Sequence, residues 1–183
     1  MSELFESLAA SAIELGAYKA AVIPASSVVT DPKFREMCAS NACGMYGRCW
    51  TCPPDIGEVD ELVSRISSYS YVLVYQTVYK LEDSFDFEGM TEAGKVHNGL
   101  TLKLVDTLAD KPLSRVLHLG AGGCRICPSC AKANSEPCRF PGRALSSLEA
   151  YCISVSDLAA CAGMKYINGQ DTVTYFGGVF FDL

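Results

Sequence analysis

The sequence predicts an α/β or α+β fold, a small mixed β-sheet flanked by helices with two cysteine-rich loops set into it. Stretches with helical apolar spacing alternate with short β-rich runs, and the cysteines gather in segments that show neither period. A chain of 183 residues can bury a core without covalent staples. No repeat or low-complexity linker divides it, so residues 1–183 are read as a single domain.

Leu4, Leu8, Ala12 and Leu15 recur at helical spacing, with Glu3 and Glu6 in the first turn and Gly16 placed to end the helix. A short strand, Ala20 to Ile23, follows before Pro24. Val59, Leu62, Val63 and Ile66 match the template of an amphipathic helix, and Tyr71-Val72-Leu73-Val74-Tyr75 then reads as a central strand buried on both faces. From about Glu88 to Leu108, residues Ala93, Leu100, Leu104 and Leu108 mark another helical face. With the strand Val116 to Leu119 it suggests a β-α-β unit. Ser146 with Glu149 forms a capping-box pattern, Ser156 can cap a further short helix and Gly163 can close it. Val173 to Phe181 is a strand, in which Gly177-Gly178 suggests a bulge or a close backbone approach.

The formal net charge is −6, and no basic stripe offsets it, which argues against a nucleic-acid partner. The longest apolar run, around Tyr71 to Tyr75, is too short to cross a bilayer, and the acidic opening Ser2 to Glu6 is no export signal. A soluble, cytoplasmic protein is expected. In a reducing compartment its ten cysteines point to a metal or redox site rather than to a disulfide framework.

Cys124, Cys127 and Cys130 fall at three-residue intervals, with Cys138 eight positions on. A loop so spaced can curl around one face of a 4Fe-4S cubane and offer three thiolates to three irons. Zinc more often takes two short knuckles from separate loops, so zinc ranks second. The preceding Gly120-Ala121-Gly122-Gly123 would let backbone N–H groups approach cluster sulfurs; read blandly, it is a strand-end turn. As a dinucleotide fingerprint its glycine spacing is wrong.

Cys38, Cys43, Cys49 and Cys52 form a second group, the last followed by Pro53-Pro54. Four thiols within fifteen residues can complete a site alone, although a zinc knuckle built on Cys49 and Cys52 is the competing reading. Cys161 is read as a buried, inert cysteine of a short helix, and Cys152 as a spare ligand. His97 and His118 are read first as core-lining imidazoles and second as ligands. Tyr46 and Trp50 fit an apolar lid over a cluster.

Together these residues resemble a known family. The carriers are Glu14-Leu15-Gly16-Ala17, Cys38, Cys43 with Tyr46-Gly47, Cys52-Pro53-Pro54, Gly122-Gly123-Cys124-Arg125-Ile126-Cys127, Cys130, Cys138-Arg139 with Pro141, and Ser147-Leu148-Glu149-Ala150-Tyr151. They are similar to the predicted metal-binding proteins grouped as domain of unknown function 2284, found mostly in anaerobic bacteria and archaea. The resemblance spans nearly the whole chain. It implies metal or cluster binding by Cys38, Cys43, Cys52, Cys124, Cys127, Cys130 and Cys138, and it implies no reaction. The family pattern lacks a cysteine at Cys49 and usually has glycine where Cys152 stands, so the eighth ligand is Cys49, Cys152, or an open iron position.

Three functional classes follow. One is an electron-transfer protein with one or two 4Fe-4S clusters serving a redox partner protein. Another is an enzyme or cofactor-handling protein with an open iron near His97 or the Gly120 loop. The last is a zinc-stabilised binding module.

Overall fold

The computed structural model describes all 183 residues as an α+β domain built on one four-stranded sheet. Helix α1 (Ser2–Glu14) leads to strand β1 (Lys19–Pro24), then a short helix α2 (Lys33–Ala39). Helix α3 (Val59–Ser67), strand β2 (Tyr71–Lys80), helix α4 (Phe87–Leu108) and strand β3 (Ser114–Leu119) follow. Helix α5 (Val155–Cys161) and strand β4 (Thr172–Asp182) complete the order. No helix is long and apolar enough to cross a membrane.

The strands lie in the order β1-β2-β4-β3, and every neighbouring pair is antiparallel. The expected mixed sheet is therefore an antiparallel one, and the expected β-α-β unit is split. Strands β2 and β3 run the same way, but β4 is inserted between them. Burial explains the order. Phe176 to Phe181 of β4 are all buried, which only a central position allows, whereas Ser114, Arg115 and Val116 of β3 are exposed and suit an edge. The edge is further blunted by a register shift between Ser114 and Leu117 and by Arg115 in a left-handed conformation, devices that discourage pairing with other chains.

Alternation along β2 feeds both faces of the sheet. Leu73 and Tyr75 join Leu8 and Ala12 of α1 with Leu100 and Leu104 of α4 in one apolar cluster. Val72 and Val74 join Leu62 and Ile66 of α3 with Leu158 and Ala159 of α5 in the other. Gly177, opposite Tyr75 in the register, has no side chain because the Tyr75 ring occupies the space that a Cβ would need. The pair Gly177-Gly178 is thus a close approach without a bulge.

Gly16 ends α1 as expected, with φ +106° and the Ala17 N–H returning to the Ala12 carbonyl. Two caps fall elsewhere than expected. Helix α5 starts after Ser154, two residues before Ser156, and the Ser147 hydroxyl, not that of Ser146, accepts the Ala150 N–H at 3.2 Å. Helix α2 escapes the sequence reading because it buries no residue and so has no apolar period. Its start is nevertheless written in Asp31-Pro32: the Asp31 carboxylate accepts the Lys33 N–H at 2.9 Å, and proline suits the opening turn.

Candidate metal centre

Both cysteine segments hang from fixed ends. Cys38 lies on the last turn of α2, a correction to its expected place in a loop. Helix α2 is held by the Arg35 guanidinium, which donates to the Gly57 carbonyl at 2.9 Å. A bridge between Thr30 and Ile153 and a bond from the Asp31 N–H to the Cys152 carbonyl bring Cys152 alongside. Cys43, Cys49 and Cys52 follow in successive turns, pinned by the Gly47 N–H to the Pro53 carbonyl. The central loop leaves β3 at Gly120, which is locked against Ser146 and Leu148 by two backbone bonds.

Beyond Gly120 the backbone behaves differently. No N–H from Ala121 to Cys130 donates to a backbone carbonyl. Such donors are available to thiolates or anions, and the Ile126 N–H already serves the Cys124 sulfur.

The loops meet. A Cβ on Gly123 would lie 3.1 Å from the Met45 side chain and 3.5 Å from the Cys52 sulfur, so glycine lets the central backbone reach the first loop. Trp50 donates its indole N–H to the Glu136 carbonyl at 2.9 Å, and Lys132 Nζ sits 4.3 Å from the Trp50 ring centre. Lys132 also pairs with Asp55. Arg139 closes the far side, donating to the Ser129 carbonyl at 3.2 Å.

Cys49, Cys124, Cys127, Cys130 and Cys138 line one small cavity with Trp50. Cys49 therefore reaches the central cysteines while it also keeps a contact with Cys52 of its own segment. Its thiol is held far below the usual range by hydrogen bonds from Cys124, then Cys52 and Thr51, against the opposing effect of burial. Cys52 and Cys124 are correspondingly pushed up, each by its bond to Cys49 and then by burial. Cys38 is raised by burial and then by Cys43, with Arg35 opposing, and it also feels Cys152. The backbone bond from Asp31 to Cys152 sets Cys152 beside the start of α2, the helix that carries Cys38. No three histidine, cysteine, aspartate or glutamate side chains converge tightly enough to hold a single metal ion.

Cys152 is fully buried in a left-handed conformation, φ +60°. Cys161, expected to be buried, is exposed at the end of α5, where Leu158 and Ala159 take the buried face, and its thiol lies 3.4 Å from the Ser27 carbonyl. Neither histidine lines the cysteine cavity. His97 is buried between Tyr75 and Tyr175, with Nδ1 2.8 Å from the Thr77 hydroxyl. Burial lowers its pKa to about 4, the Phe176 backbone opposing. His118 is likewise lowered to about 4 by burial.

The sequence profile of the family described as predicted metal-binding protein, DUF2284, matches residues 21–181. The chain belongs to this family. Nothing among curated proteins or solved structures matches it. Membership and the cysteine content make this DUF2284 chain a cysteine-rich metal-binding protein. A feature that the sequence did not announce is a cleft of about 220 Å³ beside Cys124, between α4 and the glycine loop, whose lining includes Lys95, Arg125 and Arg143.

Proposed function

We propose that the protein holds one or two 4Fe-4S clusters on its two cysteine segments and passes electrons to a redox partner protein. The observation that carries this reading is the shared cavity of Cys49, Cys124, Cys127, Cys130 and Cys138, set in a loop whose N–H groups are uncommitted. Cluster sulfurs need such donors, and the apolar body of Trp50 at the cavity wall would limit water and tune a potential. A single zinc ion suits the donors less. Tetrahedral zinc more often takes two short knuckles from separate loops, whereas three cysteines at three-residue intervals can serve three irons of a cubane.

Cys124, Cys127, Cys130 and Cys138 are the ligands proposed for the central site, with Cys49 beside them. Cys38, Cys43 and Cys52 are proposed for the other, with Cys152 the better-placed fourth ligand. The net charge of −6 suits encounter with a basic partner surface. The cleft beside Cys124 favours a second reading, a substrate- or cofactor-handling protein with an open iron position.

Anaerobic iron, acid-labile sulfide and zinc analysis tests the proposal. Brown protein with near-equal iron and sulfide is expected. Cys127→Ser should empty the central site, and Cys152→Ser, rather than Cys49→Ser, should empty the other. Colourless protein carrying stoichiometric zinc would overturn the cluster reading. Electron paramagnetic resonance of the reduced protein separates the two functional readings, because only an open iron position responds to added small ligands.

A further inference from the structure

The cleft beside Cys124 adjoins the cysteine cavity and shares Cys124 and Ile126 with it. One wall is a side of α4 that contributes Lys95, Asn98 and the buried Thr101, whose hydroxyl is held by Tyr75 and the His97 carbonyl; the other is the loop from Gly120 to Ile126, with Arg143 also in the lining. No aspartate or glutamate lines it, although acidic residues outnumber basic ones by 21 to 15 in the chain.

The three cations differ in what they already hold. Arg143 is engaged by Asp106 through two bonds of 2.6 and 3.3 Å, and Lys95 by Glu92 at 2.9 Å. Arg125 has no hydrogen bond or ion pair to any other group in the chain. It is a free guanidinium fork facing a cleft whose loop also carries unpaired backbone N–H groups. Asn98, across the cleft, likewise has no side-chain partner. An unengaged planar fork, spare N–H donors and no competing carboxylate are the elements that recognise an oxyanion.

We propose that this cleft binds a small organic anion, carboxylate or phosphate, with its charged end on Arg125 and the glycine loop and its polar end against Asn98. A cleft of about 220 Å³ has room for a small metabolite. Because Cys124 shares the wall, the bound anion lies alongside the central cysteines. That adjacency gains a redox meaning only if the iron–sulfur reading holds; the binding itself needs only Arg125 and the loop.

Isothermal titration of the protein as isolated, with inorganic phosphate and separately with succinate, tests this. At least one should bind saturably, and which one does assigns the oxyanion. Arg125→Gln should weaken that binding at least tenfold and Arg125→Lys less, because lysine keeps the charge and loses the fork. Asn98→Ala, on the opposite wall, should weaken it several-fold with metal content unchanged. Absence of saturable binding of either probe up to about 10 mM, or equal affinity in Arg125→Gln and wild type, would overturn the proposal. Metal analysis of the same samples separates the two readings. Iron-free protein that binds through Arg125 removes only the cluster; iron- and sulfide-loaded protein that binds neither probe removes only the anion site.

Discussion

Replacing Trp50 unfastens the two cysteine loops without touching the sheet, since Trp50 belongs to neither apolar cluster. Its indole N–H bond to the Glu136 carbonyl contributes about 1 kcal/mol. Lys132 over its face, with a side chain only 15% exposed, adds about 1–2 kcal/mol. Trp50→Ala therefore removes about 2–3 kcal/mol of coupling between loops, which at about 1.4 kcal/mol per tenfold raises the separated population about 30- to 140-fold. Trp50→Phe keeps a ring under Lys132 and loses only the hydrogen bond, about fivefold. Anaerobic release of bound metal to excess chelator reads this directly, because metal escapes when the loops part. The expected order is alanine fastest, phenylalanine intermediate and wild type slowest, with unchanged far-ultraviolet circular dichroism. Equal release rates for all three would refute the idea that Trp50 holds the loops together.

Gly177→Ala drives a methyl into the Tyr75 ring, whose hydroxyl is tied to Thr101 at 2.9 Å and cannot swing away freely. It should cost about 2–3 kcal/mol, or roughly 5–10 °C in melting temperature. Gly178→Ala meets the Leu148 side-chain tip at 3.2 Å, with Val72 and Phe180 at ordinary contact distance, and should cost less than about 1 kcal/mol; equal losses would refute the contrast. His97 is neutral in the fold down to about pH 4, whereas in the unfolded chain it protonates below about pH 6.5, so stability is full above that range and falls as the pH drops through it. From pH 7.5 to 5.5 denaturant titrations should show a loss of about 1.4 kcal/mol from His97 and as much again from His118, so His97→Gln should halve the total loss. At Cys152, with φ +60°, glycine should give a protein about 1 kcal/mol more stable than alanine does, reversing their usual order; thermal melts of the two variants decide it.

The predicted helices at Leu4, Val59 and Glu88 and the strands Tyr71 to Tyr75 and Val173 to Phe181 were legible because each buries a periodic face. Strand order was not. Nothing local to Val116 to Leu119 says that a strand more than fifty residues later will come between it and β2. In the site, the triplet Cys124, Cys127 and Cys130 was readable because it is local, and the side on which Cys49 falls was not. That depends on Gly123 admitting Met45 and on Trp50 reaching Glu136, contacts across more than seventy residues. Cys152 shows the reverse case. Its left-handed backbone, a conformation that favours glycine, is displayed only by the structure.

Strand β4 follows both cysteine segments in the chain yet supplies the only sheet partner of β3. During synthesis on the ribosome the thiols of both segments thus emerge before the strand that anchors the central loop can dock. Until β4 has been translated and inserted, β3 lacks a neighbour and Cys124 to Cys138 dangle from an unfixed stem. The fixed stem of the central cysteine loop is thereby completed only when the last strand is in place.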